Sequence, residues 1–169
     1  MMNIIILLLL PFFGIISSFE EEKIAWDANR PLTWEDFRGV PNRADSFVAS
    51  TNSGISFSFS FSERNGVANI QYTVVSNFYP DLSWYRPERV TQYILEHEQT
   101  HFDISELHAR KLRNALSSLS HDRGFKEKAE RRAMQTQYDK ESDHSNVKEM
   151  EYQWRTKVAQ ELNALDAWK

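Results

Sequence analysis

A run of alternating apolar and small polar residues constrains the fold of this chain more than any other feature. Between residues 55 and 62 each apolar side chain is followed by a serine, and a period of two is typical of a β-strand buried on one side. Asn65-Gly66 then supplies turn chemistry, and the alternation resumes across residues 67–75. We predict a hairpin whose aromatic stripe belongs to the core rather than to a ligand groove. The apolar members of its first strand are Ile55, Phe57, Phe59 and Phe61.

Helical spacing dominates the rest of the chain. Pro87 suits the first turn of a helix, and a helical pattern runs from there to about Leu119. A second helix is predicted after Gly124, and a third where apolar residues recur every three or four positions from Val147 to Leu165. We therefore predict an α+β domain, in which a small antiparallel sheet is followed by one long helix and two further helices.

Length and charge exclude several classes of protein. A chain of 169 residues supports a single domain, which we place at residues 19–169. The formal net charge of -4 gives no electrostatic reason to expect a nucleic acid as partner. Because the chain has no cysteine, its stability must come from packing or partly from a bound metal.

The first 18 residues contain no charged side chain and hold a continuous apolar block. This block is shorter than the roughly 20 residues that span a membrane, but it suits the hydrophobic region of a signal peptide. We predict a signal peptide at residues 1–18 and a secreted or periplasmic domain without stable membrane insertion. The alternative is a retained membrane anchor, because no Lys or Arg precedes the block and Ile16-Ser17-Ser18 is a poor cleavage site.

The stretch HEQTH, from His97 to His101, lies in the long predicted helix. At about 100° per residue, both histidines fall on its inward face and Glu98 falls at the edge of that face. Two imidazoles one turn apart can bind one zinc ion and leave room for a third protein ligand and a water. Glu98 is then placed to take the proton of that water and deliver it to a leaving amine. The opposite side of the helix is expected to face solvent, and its polar residues are Glu96, Gln99, Asp103, Glu106 and Arg110.

A chance occurrence of the pattern is the alternative to a metal site. Buried imidazoles without partners are costly, however, because each ring carries polar nitrogen atoms that must be satisfied. The inward position of both histidines therefore favours zinc binding.

A third zinc ligand has to come from another part of the chain. His108 shares the inward face, but it lies about 10.5 Å beyond His101 along a straight helix, so it is predicted to pack beside the site. Two glutamates in the charge run KEKAERR are typical of a solvated face. His144, in the polar segment YDKESDHSN, is the predicted third ligand. Tyr138 is a candidate hydrogen-bond donor to an oxyanion, with a place in the core as its alternative.

Four segments of the chain together resemble a known family. They are LTWEDFRG from Leu32, HEQTHFDISELHAR from His97, YDKESDHS from Tyr138, and EYQW ending at Trp154. In these segments the chain is similar to the domain of unknown function 922 family, bacterial proteins described as predicted secreted zinc-dependent proteases.

The resemblance implies specific roles for residues of the central segment. His97 and His101 would bind zinc, Glu98 would be catalytic, and the downstream tyrosine and histidine segment would close the site. The chain departs from the family at Ser142 and Ser145, where a threonine and a glycine tend to surround the histidine.

Two hypotheses from different classes follow from the sequence. The first is a zincin-like metallopeptidase that is exported and hydrolyses a peptide or protein substrate. The second is a non-catalytic binding or assembly protein of the cell envelope, with structural zinc or no metal. A coordination position left open to water favours catalysis, whereas four protein ligands favour a structural role.

Overall fold

The computed structural model describes residues 21–42, 44, 46–64, 67–117 and 123–169. The predicted signal peptide at residues 1–18 and the predicted turn Asn65-Gly66 lie outside the described residues. None of the helices in the described part of the chain has the length and apolar composition of a membrane span.

The predicted hairpin is confirmed and forms the main sheet. Strands β3 (Ser53–Arg64) and β4 (Val67–Phe78) pair antiparallel along their whole length. The short strand β1 (Ile24–Ala25) pairs with the other edge of β4, which gives the order β1-β4-β3. A second sheet that the sequence did not predict pairs β2 (Ala49–Ser50) with β5 (Trp84–Tyr85).

Three helices follow the sheet, and the predicted α+β class is confirmed. They are α1 (Gln92–Ser117), α2 (Arg123–Ser142) and α3 (Lys148–Ala164). The sequence predicts that the segment YDKES belongs to a polar connection. In the structure this segment forms the last turn of α2 instead.

Helix α1 lies at the centre of the molecule and packs against all the other layers. One apolar cluster joins it to α2 and α3, and a second joins it to β4 and the segment around residues 32–37. Full burial of such side chains contributes about 1.5–3 kcal/mol each. The first cluster contains Ile104, Leu107, Tyr138, Trp154, Val158 and Leu162, and the second contains Leu32, Phe37, Phe78, Leu95 and Phe102.

The polar side of α1 is largely covered, so the expectation of a solvated face is wrong for most of its length. Glu106 and Arg110 are only 3% and 2% exposed, because α3 and the segment after it lie over them. We call Glu106, Arg110 and Arg113 the ion-pair cluster. Glu106 Oε1 contacts Arg110 Nε at 2.9 Å and Arg113 Nη1 at 3.0 Å, and Arg110 Nη1 also donates to the Leu162 carbonyl at 2.8 Å.

The phenylalanine stripe is the second departure from expectation. Phe57 and Phe59 are 50% and 51% exposed, although a one-sided buried strand was predicted. Their cross-strand partners in β4, Val74 and Tyr72, do pack against α1, at a cluster that includes Ala109 and Leu112. At this level of the hairpin α1 therefore covers β4 and leaves these two side chains of the edge strand β3 half-exposed.

Candidate metal centre

The two histidines of the HEQTH stretch meet on the buried side of α1. Four residues make slightly more than one helical turn, so their side chains stack along one face. The Nε2 atoms of His97 and His101 lie 3.2 Å apart, and the ring planes are almost perpendicular at 86°. Their side chains are only 5% and 13% exposed. Both rings thus direct the same nitrogen toward one point.

Helix α2 brings Asp139 to that point. Asp139 Oδ1 lies 3.1 Å from His101 Nε2 and 3.7 Å from His97 Nε2. One ligand atom from each of the three residues falls within 4.8 Å of the other two. We call His97, His101 and Asp139 the histidine cluster.

The spacing of the histidine cluster fits a zinc ion. Two ligands bound at 2.0–2.1 Å with tetrahedral angles are about 3.3–3.4 Å apart, and the three observed separations of 3.1, 3.2 and 3.7 Å bracket that value. Imidazole nitrogen and carboxylate oxygen are both ordinary zinc ligands. The donor set therefore suits the metal in both chemistry and geometry.

Sequence reasoning did not identify Asp139. The residue directly follows Tyr138 in a segment that the sequence predicts to be a polar loop, where ligand type alone favours a histidine. The helical spacing of Arg131, Gln135 and Asp139, four residues apart, was the available signal that one face of α2 turns toward α1.

Each histidine of the cluster makes a further hydrogen bond through its other ring nitrogen, Nδ1. His97 Nδ1 donates to Glu151 Oε2 at 3.0 Å, and His101 Nδ1 donates to Gln135 Oε1. Gln135 Nε2 in turn donates to the His101 carbonyl at 2.8 Å. A hydrogen bond from Nδ1 sets the tautomer of the imidazole and leaves Nε2 as the nitrogen that could bind a metal ion.

Glu151, at 0% exposure, connects the site to α3. Tyr138 Oη donates to Glu151 Oε1 at 2.6 Å and Arg155 Nε donates to the same atom at 2.8 Å. Burial raises the pKa of Glu151, but the hydrogen bonds from His97, Tyr138 and Arg155 outweigh burial and lower it. The carboxylate is therefore charged behind His97. Glu151 is the first residue of the EYQW segment, and its contact with His97 was not predicted from the sequence.

Tyr138 occupies the core next to the histidines. It is 0% exposed, and its ring stacks on that of His97 with centroids 4.8 Å apart. Burial and the hydrogen bond to Glu151 raise the pKa of its hydroxyl. The predicted role of Tyr138 as a donor to an oxyanion stays a prediction, whereas the observed contact of the hydroxyl is to Glu151.

Glu98 combines deep burial with an unsatisfied atom. Its residue is 4% exposed, and its Oε2 has no hydrogen-bond partner among the described residues. Glu98 lines a cavity of about 650 Å³ together with His97, His101 and Asp139. A buried carboxylate oxygen without a partner is costly, so the position of Glu98 Oε2 in the cavity lined by the histidine cluster points to a partner that enters this cavity.

His144 lies at the rim of the same cavity. Its Nδ1 is 3.6 Å from Asp139 Oδ1, its side chain is 48% exposed, and its ring lies 5.1 Å from that of Phe47. Asp143, His144 and Ser145 have φ angles of 48°, 50° and 71°, a left-handed run that is uncommon for residues with a Cβ atom and marks local strain. The predicted third ligand is thus close to the histidine cluster but outside the group of three.

Charges within the site favour a proton on His101 when no metal is bound. Burial lowers the pKa of His101, but the hydrogen bonds to Asp139 and Gln135 and the charge of Glu98 outweigh burial and raise it to about 9. Burial also raises the pKa of Asp139, yet the hydrogen bond to His101 and the neighbouring imidazoles bring it below its ordinary value. The site therefore attracts positive charge.

His108, predicted to pack beside the site, is 2% exposed, and burial lowers its pKa to about 4. It does not line the cavity.

No protein-family model, no curated protein and no solved structure matches this chain. The resemblance to the domain of unknown function 922 family therefore stays a prediction, and the function of the chain has to be argued from the histidine cluster and its surroundings.

Proposed function

We propose that the protein is an exported zinc-dependent peptidase in which Glu98 is the general base. One observation carries the proposal: the unpartnered Oε2 of Glu98 lies buried in the same cavity as the three ligand atoms of the histidine cluster. The apolar segment at residues 1–18 supports a secreted or periplasmic location. A zincin-like fold is part of the proposal, because a metal-binding helix packs beside a small sheet and a neighbouring helix supplies the third ligand.

Zinc bound to the histidine cluster would polarise a substrate carbonyl and lower the pKa of a coordinated water. Glu98 accepts the proton of the attacking water at Oε2. The water oxygen forms a bond to the carbonyl carbon, and the bond from that carbon to the amide nitrogen breaks. Glu98 then delivers its proton to the nitrogen that leaves, so that one carboxylate acts first as base and then as acid.

The cavity suits an extended peptide. Its wall includes the consecutive residues 46–51, which contain β2, and within the described residues β2 pairs through one edge only, with β5. A free strand edge can align an extended peptide by backbone hydrogen bonds. This arrangement supports a peptide or protein substrate.

The test combines metal analysis with digestion. Zinc-loaded wild type and Glu98→Gln are incubated with a broad peptide library, and Glu88→Gln, which changes an exposed glutamate, serves as matched control. We expect wild type and the control to cleave, and Glu98→Gln to be about 10²- to 10⁴-fold slower with zinc retained. Equal rates for wild type and Glu98→Gln, both with zinc bound, would contradict the proposal.

The position of His144 favours a second candidate, a non-catalytic protein with structural zinc. If His144 joined the histidine cluster, the ion would have four protein ligands, and closed sites of that kind are structural. His144→Ala distinguishes the two candidates. If the variant keeps zinc and peptidase activity, the result supports three protein ligands and an open coordination position. If the variant loses zinc and folding, and wild type has no activity, the result supports the structural site.

A further inference from the structure

Helix α2 presents three cavity-lining side chains at intervals of four residues. Asp139 belongs to the histidine cluster and Gln135 holds His101, as described above. Arg131, one further turn away, lines the same cavity, but in the described part of the chain it makes no hydrogen bond or ion pair with the histidine cluster. Its function is therefore not accounted for by metal binding.

Unlike Arg110 and Arg155, Arg131 has no acidic partner among the described residues. Arg110 and Arg155 each contact a buried glutamate, at 2.9 and 2.8 Å. The guanidinium of Arg131 is partly buried, and its hydrogen bond within the described residues is a long one, from Nη1 to the Ser53 carbonyl at 3.4 Å. Burial lowers the pKa of Arg131, and so does the neighbouring charge of Arg132. A partly desolvated cation with most of its five donors unused is suited to an anion that enters the cavity.

The separation from the metal centre limits which anion can bind. Arg131 and Asp139 are eight residues apart, so they lie about 12 Å apart along the helix axis. An extended peptide covers that distance in three to four residues. Because the guanidinium of Arg131 contacts the Ser53 carbonyl rather than the histidine cluster, an anion bound there is separate from the group that would react at the metal, but it can belong to the same peptide.

We propose that Arg131 binds a carboxylate of the substrate, three or four residues from the bond that is cleaved. The inference rests on the proposed peptidase function and names the substrate class: peptides that carry a carboxylate at that distance. The carboxylate comes either from a free C-terminus or from an acidic side chain, and a guanidinium recognises both by the same paired hydrogen bonds.

Binding of defined peptides tests this without requiring turnover. The full chain with Glu98→Gln, loaded with zinc, is titrated with N-terminally labelled hexapeptides by fluorescence anisotropy. The peptides are a free acid, the same sequence as a C-terminal amide, and the amide with a glutamate at each position in turn. Arg131→Gln and Arg131→Lys are compared with Arg132→Gln, which removes the adjacent exposed arginine.

We expect a peptide with a suitably placed carboxylate to bind about tenfold to a hundredfold more tightly than the plain amide. The preference should vanish in Arg131→Gln, weaken in Arg131→Lys and persist in Arg132→Gln. A preference for the free acid identifies the C-terminus as the source, and a preference for one glutamate position identifies a side chain. Equal binding of all peptides to the protein that retains Arg131, or a preference that survives Arg131→Gln, overturns the inference.

The outcome is separable from that of the proposed function. Cleavage by wild type without any carboxylate preference leaves the peptidase in place and rejects the role of Arg131. A carboxylate preference in binding, without cleavage by zinc-loaded wild type, supports Arg131 and rejects the peptidase.

Discussion

Helix α1 carries two buried polar clusters that differ in how completely they are satisfied. In the ion-pair cluster, Glu106 contacts two arginines and Arg110 also reaches a carbonyl of α3. In the histidine cluster, three ligand atoms converge within 4.8 Å, and Oε2 of the adjacent Glu98 has no partner among the described residues. Paired charges hold elements together, whereas convergent and incompletely satisfied groups beside a cavity indicate a place for a ligand.

The largest effect is expected from Asp139→Ala. The loss of one of three ligands should release zinc, and with it stabilisation of the transition state by several kcal/mol, which corresponds to about a thousandfold or more in rate. Zinc content and peptide hydrolysis are measured together, with Asp143→Ala, an exposed neighbour that also borders the cavity, for comparison. Full zinc content and activity in Asp139→Ala would remove Asp139 from the site.

Glu106→Ala should disrupt the ion-pair cluster and leave the histidine cluster intact. The substitution leaves Arg110 buried without its carboxylate, and a broken buried pair costs about 3–5 kcal/mol of unfolding free energy. Denaturant unfolding measures the change, and zinc binding by the fraction that remains folded should match that of wild type. A loss of zinc affinity in the folded variant would show that the two clusters are coupled.

Glu151→Gln should have a smaller effect that is specific to the histidine cluster. The amide keeps the size of the side chain but removes the charge behind His97, and loss of such an outer partner lowers metal affinity about 10- to 100-fold. Competition with a chromophoric chelator measures the affinity, and Glu149→Gln, on the exposed side of α3, is the control. Unchanged zinc affinity would mean that Glu151 serves only to hold Tyr138 and Arg155 in place.

The most gradual effect is the dependence of zinc affinity on pH, which accumulates over about two pH units. The pKa of His101 in the metal-free protein is raised from 6.5 to about 9. Protonated His101 therefore stabilises the metal-free fold fully below pH 6.5, and this stabilisation is lost as the pH rises through about 9. Zinc must displace this proton. Affinity should therefore rise about tenfold per unit between roughly pH 7 and 9, as measured by chelator competition at each pH. A flat profile over that range would argue against a protonated His101.

Sequence reasoning was most successful where the evidence was local. The hairpin and the three helices were predicted because a period of two and a period of 3.6 are written into neighbouring residues. The pairing of His97 with His101 was also predictable, since a spacing of four on a helix brings side chains together in any fold. The contacts of Asp139 and Glu151 with these rings depend on how α2 and α3 pack, and no short-range pattern specifies that packing.

The difference between local patterns and tertiary packing also explains the two incorrect predictions of burial. Phe57 and Phe59 have the pattern of a buried stripe, yet α1 packs on their partners in β4 and leaves these side chains of the edge strand half-exposed. Glu106 and Arg110 have the pattern of a solvated face, yet α3 covers them. Periodicity determines which residues share a face, but only the neighbouring elements determine whether that face meets protein or water.

The sequence by itself determined the hairpin, the three helices, the pair of imidazoles on α1 and the carboxylate of Glu98 beside them, because each depends on local patterns along the chain. The tertiary structure alone decided that Asp139 lies against the two imidazoles, which residues bind each histidine at Nδ1, and which cavity Arg131 lines. These features require residues far apart in the chain to meet, and their meeting is set by the packing of α1 against α2 and α3.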